Sequence, residues 1–396
     1  MPNVDPRCIT QINRDVQKLE PSAIRAFDIQ VSSIPGITKL TLGEPDFDTA
    51  AHVKEAGIND IATNDSHYGA TAGKPELRKV IAEYLQRHFD LNYTADEVLI
   101  TVGATEAITV AMKTVLNPGD SVLIPTPVYS AYNAVATMLG VKSVLLNTSP
   151  TAFKLTPITL KAALDANPGI KALILNYPSN PTGVTYSKTE LEELVQVIKQ
   201  SGIWVISDEI YAELTYEKQH TSFAKLLPEQ TIYINGVSKA YAMTGYRVGY
   251  IAGPADLMPF LTKVHQFMVT VVPNVTQAAA IEAISNGDAE IDKMREIYHQ
   301  RQQFMKYALN KLGYEFVEPR GAFYLFIQIP TDFVGDSFAY ALELAQEAGV
   351  AVIPGTAFGP GGERYVRLSY AASMEKLNLA IEKITKYQEE IKSEAM

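Results

Sequence analysis

Only one cysteine, Cys8, occurs among the 396 residues. That excludes an intrachain disulfide and any cysteine-rich zinc site, and it fits a reducing, cytoplasmic setting. Histidine is also scarce. The six at 52, 67, 88, 220, 265 and 299 are scattered with no metal-ligand spacing between any two, so no metal is expected. His265, in TKVHQFM, reads as a helix-face histidine. No apolar run approaches the roughly 18–20 residues of a membrane helix. The start, MPNVDPRCITQINRD, has no basic segment leading into an apolar one, so neither a membrane anchor nor a secretory signal is expected. Positive charge is short as well: 34 Lys and Arg stand against 44 Asp and Glu, a net charge of −10. Such a balance argues against a phosphate-neutralising nucleic-acid surface. Repeats and low-complexity tracts are absent, and the polar tail EEIKSEAM is expected to fray.

What is present is the composition of a globular chain, 47% apolar and 20% charged, with length for two or three domains and an enzyme-sized core. EVLIT (97–101), SVLIP (121–125), KALILNY (171–177), IWVIS (203–207) and TIYIN (231–235) are short and mostly apolar. They read as strands buried on both faces, which suits a parallel sheet covered by helices. Between them, 75–89 carries Leu77, Val80, Ile81, Tyr84 and Leu85 on one helical stripe. The segment 187–200 opens with Ser187 and Glu190 at capping-box spacing. This alternation predicts a doubly wound, mostly parallel α/β domain. Beyond Pro273 the pattern changes to a long helical stretch (275–312), then GAFYLFIQI (321–329), an amphipathic helix (337–348), VAVIPG (350–355) and RYVRLSY (364–370). A final helix carries Leu377, Ile381, Ile384 and Ile391 on one side. These segments read as a smaller α+β domain joined by the N-terminal arm, giving 45–280 as the large domain and 1–44 with 281–396 as the small one.

Ligands of open α/β sheets sit beyond the carboxyl ends of the strands. After the first strand, Gly103, Ala104 and Thr105 open a helix whose free N–H groups suit an anion; an ordinary tight turn reads the same way. After the second comes Tyr129, either a stacking platform for a flat ring or a core tyrosine. The third leads to PSNPTG, a rigid loop orienting Asn180, or simply a turn. The fourth ends at Asp208, close to Tyr211. A buried acid is costly to ionise without a cation, although a helix cap is the plainer explanation. The fifth leads to Ser238 and Lys239, then to Arg247. Most lysines are solvated, but Lys239 follows a buried strand among small and apolar neighbours, where an amine loses its proton and attacks carbonyls. Taken together, a carbonyl-reactive lysine, an acid for a ring nitrogen, an anion-binding helix start and an arginine are the requirements of pyridoxal 5′-phosphate.

From about residue 25 to the C-terminal helix the chain resembles the class I aminotransferases, fold type I pyridoxal-phosphate enzymes. The resemblance rests on LGEPDF (42–47), HYGATAGKPELR (67–78), NPTG (180–183), SDEIY (207–211), SKAYAMTGYRVGY (238–250) and YVRLSY (365–370), in the family's order and spacing. It implies that Lys239 bonds the cofactor and then shuttles a proton, and that Asp208 pairs with the pyridine nitrogen. Asn180 and Tyr211 would hydrogen-bond the ring oxygen, and Tyr129 would stack on the ring. Gly103, Ala104, Thr105, Ser238 and Arg247 would surround the phosphate. Many relatives carry a serine at the position of Gly236, which puts one phosphate contact in doubt. Arg367 would clamp the substrate α-carboxylate, with Gly43 and Asn180 completing that pocket. Tyr68 would reach the phosphate of a neighbouring subunit, so that a homodimer shares its active sites. Pro127 and Pro181 correspond to cis prolines.

The expected reaction is transamination between an L-amino acid and a 2-oxo acid such as 2-oxoglutarate. Aspartate-preferring relatives of this subgroup often carry a lysine where Thr105 stands, and the cross-subunit arginine of the other aspartate subgroup is not recognisable. An aromatic or neutral donor is therefore expected. N-acetyl-diaminopimelate and aspartate are the alternatives, with a carbon–sulfur β-lyase or a non-catalytic binding protein as more distant ones.

Overall fold

A computed structural model describes residues 3–216 and 219–394. In chain order its strands are β1 (Thr38–Lys39), β2 (Val98–Thr101), β3 (Ser121–Thr126), β4 (Lys142–Asn147), β5 (Ile170–Asn176), β6 (Trp204–Asp208), β7 (Thr231–Gly236), β8 (Gly249–Ala252), β9 (Phe316–Val317), β10 (Tyr324–Gln328), β11 (Val350–Ala351), β12 (Ile353–Pro354) and β13 (Tyr365–Ser369). Seven of them form one sheet in the order β2-β8-β7-β6-β5-β3-β4. Only β8 in this sheet runs antiparallel to its neighbours, so β2, β3, β5, β6 and β7 all end on the same edge. The five apolar runs are these five strands, each within one residue of the expected bounds. Side chains such as Val98, Leu173, Val205 and Ile232 are fully buried. Each contributes roughly 1.5–3 kcal/mol of burial free energy, which is why these runs settle in a sheet covered on both faces.

The helix Pro75–Phe89 buries Leu77, Ile81, Tyr84 and Leu85, while Val80 is half-buried. In Lys188–Ser201 the capping box is formed: Ser187 Oγ accepts from Glu190 N–H, and a Glu190 carboxylate oxygen accepts from Ser187 N–H at 2.7 Å. The long stretch expected over 275–312 is two helices, Asn274–Asn286 and Asp288–Lys311. They part at Gly287, whose φ of −99° and ψ of 16° leave the helical region; a glycine between two amphipathic stripes is the cheapest place for that break.

A second, four-stranded antiparallel sheet has the order β12-β13-β10-β9. The N-terminal arm packs beside it, in a separate two-stranded sheet. Lone strand β1 pairs in parallel with β11, and Phe27, Val31 and Leu40 pack in one apolar cluster with Phe326, Val350 and Leu377. The final helix, Met374–Glu394, buries Leu377 and Ile384, with Ile381 packed beside them. The tail 389–396, expected to fray, instead continues as helix through Glu394, because the amphipathic stripe continues into it; the inward placement expected for Ile391 and the last two residues lie outside what is described. None of the described helices is long and apolar enough to cross a membrane.

Candidate active site

A cavity of about 760 Å³ opens between the carboxyl edge of the large sheet and the face of the small one. Lys239, Asp208, Tyr211, Asn180, Tyr129, Ala104, Thr105, Ser238, Arg247, Gly43 and Arg367 all line it. Its size is that of a pocket for a small cofactor with a substrate.

Asp208 ends β6 and is 4% exposed. Its Oδ2 accepts from the Tyr132 hydroxyl at 2.7 Å and its Oδ1 from Ile210 N–H at 3.2 Å. Burial pushes its pKa up to about 6, against these two hydrogen bonds. The neighbouring Glu209 faces the other way, where it is bound by His220 at 2.6 Å and by Ser207, Ser222 and Tyr177. Strand alternation thus leaves only the first acid of the motif in the cavity.

Lys239 sits in the single helical turn Val237–Ala240 after β7. Its Nζ donates to the Gly43 carbonyl at 2.6 Å and lies 5.9 Å from the Tyr211 ring centre. Desolvation lowers its pKa to about 8; Glu44 opposes this, and the Arg367 and Arg247 charges assist it. Near neutral pH a useful fraction of this amine is the free base.

Gly103 begins the helix Gly103–Val115 with φ +74°, and a Cβ there would lie 2.4 Å from Arg247 Nη2. Only glycine lets the loop and the guanidinium approach so closely. Arg247 is anchored by a bond from Nη1 to the Thr244 carbonyl at 3.0 Å. Gly236 has its own reason. A Cβ would stand 2.8 Å from the Val248 carbonyl oxygen and 2.9 Å from Gly249 Cα, so the close approach of β7 and β8 excludes a serine.

Arg367, on β13, is 1% exposed. Its Nη1 donates to Asn180 Oδ1 at 2.9 Å and its Nη2 to the Thr41 carbonyl at 2.6 Å. The guanidinium stacks on Tyr324 at 4.5 Å and on Phe358 at 5.0 Å. Tyr324 in turn shares a 2.8 Å hydroxyl contact with Tyr211. The peptides before Pro127 and Pro181 are cis, as is that before Pro178.

Tyr68 is the one expected site residue placed elsewhere. It is 86% exposed and lines a separate depression with Ile61, Val271 and Asn274. Several participants were missed. Tyr132 lies one turn beyond Tyr129 in TPVYSAY, and that spacing could have revealed it. Tyr324 alternates into the cavity from an apolar strand whose pattern says only "core". His265 is not a surface group: it is fully buried, with Nδ1 at 2.8 Å from Glu106 Oε1. Glu106 Oε2 reaches back to accept from Val102 N–H at 2.5 Å, bracing the loop ahead of Gly103.

The same chain matches the family model for aminotransferase class I and II over residues 35–384. It is 41% identical, over 94% of both chains, to the Bacillus subtilis (strain 168) protein named "Probable N-acetyl-LL-diaminopimelate aminotransferase". It is 37% identical to the aspartate/prephenate aminotransferase of Thermus thermophilus, over 95% of this chain and 98% of that one. The solved Thermus thermophilus aspartate aminotransferase with maleate superposes with a TM-score of 0.90 at 36% identity, covering 95% of this chain and 99% of that one.

Proposed function

The chain belongs to the class I and II aminotransferases and is a transaminating enzyme; from that premise we propose that, with pyridoxal 5′-phosphate, it moves the amino group of an aromatic or neutral L-amino acid to a 2-oxo acid such as 2-oxoglutarate. The observation that carries this reading is the convergence, in one cavity, of a buried bidentate guanidinium at Arg367 with the desolvated amine of Lys239 and the buried carboxylate of Asp208. The first would clamp an α-carboxylate, the second would act as the base, and the third would pair with a ring nitrogen. The donor set fits the cofactor: the glycine cradle against Arg247 suits its phosphate, and an acid whose burial is costly wants a cationic partner.

The cofactor supplies, when bound, the electron sink for charge left at the substrate Cα. This chain's residues do the rest. Arg367, held by Asn180 and Thr41, orients the α-carboxylate so that the Cα hydrogen faces Lys239. With its pKa lowered to about 8, Lys239 takes that proton up and gives it back on the other side of the transfer. Asp208 stays charged above about pH 6, with Tyr132 and Ile210 holding its two oxygens. When the cofactor is bound, Gly103, Ala104, Thr105, Ser238 and Arg247 would hold its phosphate, Tyr129 would lie against its ring, and Asn180 and Tyr211 would hydrogen-bond its ring oxygen. Tyr68, exposed on one chain, serves the neighbouring subunit's site in a homodimer. The working units are 45–280 and 1–44 with 281–396, in a cytoplasmic enzyme.

Thr105 supports a neutral or aromatic donor. The Bacillus relative supports N-acetyl-diaminopimelate as the second reading. Measuring kcat/KM for phenylalanine, aspartate and N-acetyl-diaminopimelate with 2-oxoglutarate decides between them; a large preference for aspartate would sink the argument from Thr105. Pyruvate released from cystathionine without added 2-oxo acid would point instead to a β-lyase.

A further inference from the structure

We propose that Tyr324 is a positioning residue: its hydroxyl donates to Tyr211 and thereby turns the Tyr211 proton toward the ring oxygen of the bound cofactor. This rests on the cofactor reading above. Tyr324 stands on β10 and is fully buried, yet it lines the cavity. Three working parts of the site meet on it. Its hydroxyl lies 2.8 Å from that of Tyr211. Its ring carries the Arg367 guanidinium 4.5 Å from the centroid. Phe326 is the residue directly opposite Arg367, so Tyr324 is the diagonal cross-strand neighbour, within reach of a long side chain. A Cβ on Gly43 would stand 2.7 Å from the Tyr324 hydroxyl oxygen. The hydroxyl therefore packs directly against the residue whose carbonyl accepts from Lys239.

Proton accounting sets the direction of the contact between the two hydroxyls. A phenol has one proton to give and lone pairs with which to accept. Among the described residues each hydroxyl has the other as its only hydrogen-bond partner. Arg367, Lys239, Asp208 and Tyr129 are the charged and titratable groups around the pair, and none of them hydrogen-bonds to either hydroxyl. If Tyr211 gave its proton to Tyr324, it would have none for a ring oxygen, and Tyr324 would bury a proton with no acceptor. The reverse order satisfies both groups: Tyr324 donates, and Tyr211 accepts while keeping its own proton for the cavity. A hydroxyl that accepts one hydrogen bond also becomes a stronger donor in the next. Because the Tyr324 ring is packed against Arg367, this donor is in place before a ligand enters.

The test uses purified holoenzyme, wild type against Tyr324→Phe, Tyr211→Phe and the double variant. The first readout is the absorbance titration of the bound cofactor. A donor at the ring oxygen stabilises that oxygen as a free anion, and so favours loss of the proton it shares with the linkage to Lys239. A weaker donor therefore raises the apparent pKa. Tyr324→Phe should raise it by about 0.3–1 unit, the scale of one neutral hydrogen bond. Tyr211→Phe should raise it at least as far, and adding Tyr324→Phe to it should change the value by less than about 0.2 unit, because the group acted upon is gone. The second readout is calorimetric binding of 3-phenylpropionate, an unreactive carboxylate. Its affinity should stay within about 3-fold in Tyr324→Phe, since the ring against Arg367 remains. An unmoved titration, a downward shift, or additive shifts in the double variant each overturn the role of Tyr324, as does a loss of carboxylate affinity in step with the titration. These outcomes leave the transaminase reading standing. A wild-type protein that takes up no pyridoxal phosphate removes the cofactor reading and this role with it.

Discussion

The two walls of the cavity are built on different principles. On the sheet side, Asp208, Lys239, Arg247 and the 103–105 loop hang from the carboxyl ends of parallel strands or follow them closely. Their chemistry is adjustable: burial moves the amine down to about 8 and the carboxylate up to about 6, toward the range where protons change hands. On the other side, Arg367, Thr41 and Tyr324 are brought together from three distant stretches of chain, with Asn180 reaching across from the loop after β5 to meet Arg367. Burial lowers the pKa of Arg367 somewhat, with Tyr324 and Tyr211 opposing, but a guanidinium starts so high that it stays charged. One wall is made to titrate and the other to stay fixed. Chemistry belongs to the first, orientation to the second.

The sharpest way to break that contrast is on the titrating wall. Lys239→Ala should abolish turnover while the protein still folds and takes up cofactor noncovalently; wild-type-like transamination in that variant refutes the assignment. Asp208→Ala should cost orders of magnitude in rate, because it removes charge stabilisation aimed at the reacting ring.

On the fixed wall, Arg367→Lys should lower kcat/KM by about 10- to 100-fold, since an ammonium cannot reproduce two forked bonds while still reaching Asn180 and Thr41. The pH profile should keep its shape. A shifted profile would show that Arg367 tunes the amine as well as orienting the substrate.

A smaller effect, about 3- to 10-fold in rate, is expected for Tyr132→Phe. The tyrosine hydroxyl stabilises the charged form of Asp208, so removing it raises the carboxylate pKa above about 6. The working carboxylate is then lost at a higher pH, and the acidic limb of the rate profile moves upward. An acidic limb that does not move would mean that the hydroxyl contributes mainly by packing.

The smallest expected change comes from behind the phosphate loop. Glu106→Ala removes the brace on Val102 and leaves His265 buried without a partner. Cofactor affinity, read from reconstitution of the apoprotein, should weaken by up to about tenfold, with Glu106→Gln recovering most of it. A lower melting temperature with unchanged affinity would make the pair structural only.

The same division explains what could be read before folding. The strand-end groups were legible because a buried strand is a short apolar run and its next few residues must stand at the sheet edge. Strand β4 was invisible to that rule because, at the sheet's edge, it alternates exposed and half-buried positions. Strand β8 passed unnoticed inside a longer motif. For the fixed wall, Arg367 and Gly43 came from resemblance, since no local pattern marks an arginine in a strand as a clamp. Thr41 contributes a backbone carbonyl, which has no letter in a sequence, and Tyr324 looks like any core aromatic. The pairing of His265 with Glu106 spans 159 positions and depends on how two helices cross.

The bond from Arg367 to the Thr41 carbonyl joins positions 326 apart, and that separation has a consequence during synthesis. At about 5–20 residues per second, a ribosome that has made Thr41 needs roughly 16–65 s more to deliver its partner. Every group on the sheet side has been made by residue 247. The nascent enzyme can therefore complete the titrating half of its site while Tyr324 and Arg367 of the other half are still unwritten, and a chain cut short before β13 would carry the proposed cofactor cradle without the proposed carboxylate clamp.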